Sequence, residues 1–176
     1  REGESGLEFL VSEAGNNGAG RDIVVTQADI DNLLRAKAAI YAGISVLLKA
    51  VKLSLSDVKR LYISGGFGNY LNLRRAICLG LLPDLPPEKI VFIGHGALRG
   101  AKRILLSRRA EEESRRIAGM MTYFELSADN RFMDEFSAAM FIPHTDVERF
   151  PNCARKGTGK ETLRRKGARD ASNPGL

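Results

Sequence analysis

The residues with the most chemical promise are glycines. Three of them fall within four positions of ISGGFGNYLN, residues 63–72, directly after an apolar run, and GHGAL, residues 94–98, follows a second such run. Glycine tolerates positive φ, and without a side chain it lets a ligand lie directly on the backbone. At the carboxyl end of a strand and the start of a helix, backbone N–H groups face outward and the helix dipole is positive. Two turns of that kind would make a floor for a flat or anionic ligand such as a nucleotide. One Gly-Gly pair by itself would need no more than the sterics of a tight turn. A dinucleotide fingerprint is set aside, because G-x-G-x-x-G requires glycine where Leu71 stands.

The elements around these turns alternate. Residues 7–11 and 22–25 read as short extended pieces separated by a Gly/Asn loop. Thr26 is placed to cap a helix with Asp29 and Asp31 in its first turn. Ile30, Leu33, Leu34, Lys37, Tyr41, Ile44, Leu48 and Val51 then recur at helical spacing, with Lys37 interrupting the apolar stripe. RLYIS and KIVFIG are continuous apolar runs of the kind expected for strands covered on both faces in a parallel sheet. NLRRAICLG is a short helix that Gly80 can end, LLPDLPPEK is a proline-punctuated loop, and GALRGAKRILLSR is a further helix with small residues spaced for close packing. This order predicts an α/β layered fold with crossover connections.

Composition narrows the function classes. With 176 residues, 44% of them apolar, the chain is long enough for one domain with a real core. No apolar run approaches the roughly 20 residues that span a bilayer, and no leader pattern is visible, so a reducing, cytoplasmic setting without a membrane partner is expected. Cys78 and Cys153 stand far apart and fit that setting better than a disulfide framework, Cys78 reading as a small buried hydrophobe. His95 and His144 are the two histidines and stand singly, so no metal site is expected from this chain. The net charge of +6 belongs mostly to the end: residues 154–176 hold 7 Lys/Arg against 2 Asp/Glu. Residues 151–176 read as a disordered basic tail after a domain over 1–150, and nucleic acid is not an expected partner. GTGKET in that tail is a decoy for a phosphate loop, since Ala154 replaces the first glycine and Glu161 follows the lysine. The chain opens on Arg1, and the N-terminal part of a larger protein is expected to precede it.

Other segments read as structure. RRAEEESRR is a solvated helix face with i,i+4 charge pairs. In FMDEFSAAMFIPH, Phe132, Met133, Phe136, Met140 and Phe141 are core or subunit contacts, and adjacent Asp134 and Glu135 point apart and make no acid/base pair.

Taken together, an apolar strand, Gly-Gly, a helix and a second strand leading into GALRGAKRILL resemble the second half of the acetate and sugar kinase, heat-shock ATPase and actin superfamily. RDIVVTQADIDNLLRAKAAIYAGISVLL, LYISGGFGNYLNL, AICLGLLPDLPPEKIVFIGHGALRGAK and FELSADNRFMDEFSAAMFIPH are similar to the C-terminal region of ATP-dependent reductive activators of corrinoid proteins. The resemblance covers about residues 20–150. It implies the second half of an actin-like, ribonuclease-H-like ATPase domain: a mixed sheet with flanking helices and a C-terminal helical extension. It implies ATP with magnesium as ligand and a corrinoid protein or other metalloprotein acceptor as partner, with a homodimer an open option. It also implies a 2Fe–2S ferredoxin-type domain upstream, since this chain has neither the cysteine cluster nor the D-x-G-T phosphate turns.

By this resemblance Gly65, Gly66, Phe67, Gly68 and Asn69 match the adenosine motif, and Gly94, Gly96 and Ala97 line the neighbouring turn. His95 departs from the asparagine expected there. Lys37 is a weaker candidate for the nucleotide, and a lysine whose stem packs while its ammonium reaches solvent is the preferred reading. Two alternatives stay open: a kinase-like phosphotransferase fragment, and a non-catalytic nucleotide-binding or scaffold module.

Overall fold

Alternating side chains at the start of the chain make a small antiparallel sheet. In this computed structural model, which describes residues 1–3 and 6–154, β1 (Glu2–Gly3), β2 (Gly6–Ser12) and β3 (Ile23–Thr26) pair in that order, with Phe9 opposite Val25. The face carrying Leu7, Phe9 and Val11 is exposed. Thr26 starts α1 (Gln27–Ala50) with a reciprocal cap: its side chain accepts from the Asp29 amide, and the Asp29 carboxylate accepts from the Thr26 amide.

The buried face of α1 is set by Lys37, Ala38, Tyr41, Ala42, Gly43 and Val46, whereas Leu33 and Val51 of the expected stripe are exposed. The small residues in that set allow close approach of α5 (Asn130–Ala139), the helix packed most extensively against α1. Between them in sequence come β4 (Leu61–Ser64), α2 (Leu73–Leu79), β5 (Ile90–Gly94), α3 (Gly96–Leu106) and α4 (Arg108–Met120). β4 and β5 pair in parallel, Leu61 with Ile90 through Ile63 with Phe92. Their inner residues join Ala38, Tyr41, Ala76, Ile77, Leu82, Leu85, Ala139 and Phe150 in one core.

The structure corrects several expectations. The described strands form two separate sheets, and β4 and β5 are covered on one face only, with Tyr62 55% exposed on the other. Ala97 and Gly100 of α3 do not provide the close packing expected: Ala97 is exposed, and a Cβ at Gly100 would meet nothing within 4 Å. Ser107 ends α3 and caps α4 by accepting from the Ala110 amide, and the charge pairs Arg108–Glu112 and Arg115–Glu111 lie along the solvated face of α4 as expected. Phe136 and Met140 pack on the core, whereas Met133 and Phe141 are exposed.

The largest correction concerns the cysteines. Cys78 on α2 and Cys153 on α6 (Pro151–Ala154) form a disulfide with Cα atoms 5.3 Å apart, so Cys78 is not an isolated hydrophobe. Sequence separation gave no hint of this, because the Phe150 anchor returns the chain to α2 only in the fold. Residues 151–154, assigned by sequence to the tail, thus form a tethered helix. The rest of the tail and its GTGKET lie outside the described residues.

Candidate functional site

Parallel pairing of β4 with β5 sets the two glycine turns side by side. The Gly65 amide donates to the Gly94 carbonyl at 2.8 Å. The Ser64 hydroxyl donates to the same carbonyl at 3.1 Å and accepts from the Gly96 amide at 3.1 Å. Ser64 therefore stitches the end of one strand to the start of the helix after the other. Sequence reasoning missed it; the available signal was a hydroxyl directly before the Gly-Gly pair.

The glycines divide by what they face. Gly65 (φ 112°) and Gly94 (φ 62°) lie in the left-handed region, and a Cβ at either would point into open space. At Gly66 a Cβ would stand 3.3 Å from Cε1 of His95, so the exposed imidazole lies beside the open turn. Gly68 and Gly96 are glycine for inward reasons. A Cβ at Gly68 would press on Ile63 and Phe92, at 3.0 and 3.2 Å, and one at Gly96 would strike the Ser64 hydroxyl at 2.8 Å. Phe67 and Asn69 belong to the short 3-10 turn of residues 67–70 that leads from the floor to Asn72, whose side chain accepts from the Arg75 amide to cap α2. Backbone uncovered at Gly65 and Gly94, with no Cβ to fill the space, fits a flat ligand laid across the two turns.

Lys37 lies elsewhere. It is fully buried, and its ammonium donates to the carbonyl oxygens of Phe141 and Pro143, the latter at 2.9 Å. Burial lowers its pKa to about 8. The expectation of an ammonium reaching solvent is corrected: the carbonyls after α5 supply acceptors inside the fold.

A second polar cluster was not legible in sequence. Glu135, 7% exposed, accepts from Lys49 and, at 2.9 Å, from Arg149. Burial acts to raise its pKa, but the hydrogen bonds and charges of Lys49 and Arg149 outweigh that and bring it to about 2. Buried His144 uses Nδ1 to accept from the Asp146 amide, while its Nε2 has no hydrogen-bond partner and stands 3.9 Å from Glu135. Burial, helped by Arg149, lowers the His144 pKa. The ring packs on Tyr41 and Phe150, which marks this cluster as part of the α1–α5 interior. Among the described residues no group of three or more His, Cys, Asp or Glu could hold a metal ion.

Two glycine turns opening at the carboxyl ends of parallel strands, each followed by a helix, stand at the edge where open α/β sheets bind their ligands. The family model described as the C-terminal domain of RACo, the ASKHA domain, matches residues 1–154, and the chain belongs to this family. The corrinoid activation enzyme RamQ of Eubacterium limosum is 36% identical over 128 residues, which cover 73% of this chain and 22% of that protein. A solved structure, a reductive activator for corrinoid, iron-sulfur protein, superposes with a TM-score of 0.81 at 53% identity, covering 86% of this chain and 24% of its own. The chain thus spans about a quarter of the length of these relatives. No described helix is long and apolar enough to cross a membrane.

Proposed function

We propose that this chain is the ATP-binding portion of a reductive activator that restores cob(I)amide in corrinoid methyl-transfer proteins by ATP-dependent electron transfer. The observation that carries the reading is the pair of open glycine turns, locked together through Ser64, in a chain of the RACo C-terminal family. Gly65 and Gly66 would floor the adenine and ribose, Phe67, Gly68 and Asn69 would shape the turn beyond, and Gly94 and Gly96 would close the neighbouring edge. Lys37 is not part of this floor, since its ammonium is taken up by the carbonyls of Phe141 and Pro143. ATP, when bound, supplies the driving force for an uphill electron. Acidic turns for magnesium and the phosphates, and the 2Fe–2S cluster, would come from parts of a longer protein outside this chain. The partner is a corrinoid protein and the setting cytoplasmic.

Half a cleft binds without turning over. The isolated chain is expected to bind ATP weakly and saturably and to release no phosphate; magnesium-dependent hydrolysis by this chain alone would contradict the reading. Ser64→Ala removes one hydrogen-bonding group between the two turns. It is expected to weaken ATP binding roughly fivefold, in line with the loss of about 1 kcal/mol. An unchanged affinity in the same titration would mean that the two turns need no such stitch.

A further inference from the structure

We propose that the Cys78–Cys153 disulfide is a thiol-exchange site for small thiols, and that its reduction unlatches the last described helix from α2. Both cysteines are half-buried and line one surface groove of about 670 Å³, together with Arg74, Asp84, Pro86 and Pro87. That volume lies in the range of small-molecule sites, and an attacking thiolate reaches the sulfurs without unfolding the chain.

The bond is the only covalent restraint on a very short element. α6 has four residues, too few to hold a helix by its own hydrogen bonds. Its remaining ties are the Asp84 carboxylate, which accepts from the Asn152 amide at 2.9 Å and from its side-chain amide at 3.0 Å, the bond from the Cys153 amide to the Phe150 carbonyl at 3.1 Å, and the packing of Cys153 against the core. Phe150 before it is fully buried and anchors the chain independently, so release is confined to the residues after it. On the other side, Cys78 sits on α2 among core residues Ala76 and Ile77, a firm base for a latch.

In the exchange, one external thiolate attacks a sulfur of the pair, the S–S bond breaks, and a mixed disulfide forms while the other cysteine leaves as a thiolate and is protonated. A second external thiol then attacks the mixed disulfide and frees the remaining cysteine. Two external thiols are oxidised to one disulfide, and Cys78 and Cys153 each gain an electron and a proton.

The test is hydrogen exchange by mass spectrometry on the 176-residue chain, with dithiothreitol as the probe and thiols counted by alkylation. Without reductant, no free thiol is expected after denaturation. With reductant under native conditions, both cysteines alkylate, and amides of Asn152 and Cys153 exchange at least about tenfold faster while those of α2 and α5 do not change. The double substitution Cys78→Ser/Cys153→Ser should show the fast exchange with or without dithiothreitol. Two free thiols at the outset would overturn the proposal, as would reduction that occurs only when urea unfolds the chain. Unchanged exchange at 152 and 153 in the reduced wild type, or acceleration throughout the chain, would overturn it too, whether or not the double variant folds.

Discussion

Gly80→Ala is expected to lower stability by about 4 kcal/mol, read as a fall in the urea midpoint. Gly80 ends α2 in the left-handed region, φ 82° and ψ 21°, where an L side chain costs about 1–2 kcal/mol. The second part of the penalty is steric. A Cβ would land on the carbonyl oxygen of Pro143, 2.9 Å from the carbonyl carbon and 3.1 Å from the ammonium of Lys37. Backbone cannot swing aside as a side-chain tip can, so the loop after α5 must move, at a cost of roughly 1–3 kcal/mol. That movement would also strip a buried lysine of one of its two acceptors. Gly100→Ala is the matched control: a Cβ there meets nothing within 4 Å, and alanine should add up to about 1 kcal/mol of helix propensity. Equal midpoints for the two variants would mean that the 141–144 segment does not pack on α2 as described.

Glu135→Gln is expected to cost about 3 kcal/mol at neutral pH. Breaking a buried ion pair typically costs roughly 3–5 kcal/mol, and the low end applies because the Lys49 and Arg149 side chains, 46% and 32% exposed, can turn to water. The pH dependence gives an independent check. The Glu135 pKa falls from 4.5 to about 2 in the folded state, so its ionisation stabilises the fold fully above pH 4.5 and the contribution is lost as pH falls towards 2. Wild type should therefore lose about 3 kcal/mol more than Glu135→Gln across that window, and the two stabilities should converge near pH 2. Parallel pH profiles would show that Lys49 and Arg149 do not hold the carboxylate.

These two residues also show where sequence was informative and where it was not. A glycine after ICL at the end of a helical run reads directly as a left-handed cap, because only local backbone geometry is involved. The same holds for the Thr26 and Asp29 cap, the α4 charge ladder and both glycine turns. What Gly80 faces was not legible, since Pro143 comes close only through the α1–α5 packing. Lys37, Glu135, Ser64 and the cysteine pair share that property. Each finds its partner across 14 to 106 residues, and nothing in local spacing marks a lysine bound for carbonyls rather than for water. Within the candidate site, sequence located the glycines without separating Gly65 and Gly94, which face open space, from Gly68 and Gly96, which make room for neighbours. Strands β4 and β5 misled in another way: Tyr62 is apolar yet lies on an uncovered face, so a continuous apolar run did not mean two covered faces.

The most direct measurement is an amide NMR titration of the ¹⁵N-labelled chain with ATP, following every backbone N–H. Saturable shifts concentrated at Gly65, Gly66, Gly68, Gly94 and Gly96, and weakened in Ser64→Ala, are expected if the locked glycine turns are the nucleotide floor. Shifts confined to other surfaces, or none at concentrations where ATP binding is detected by another method, would contradict it.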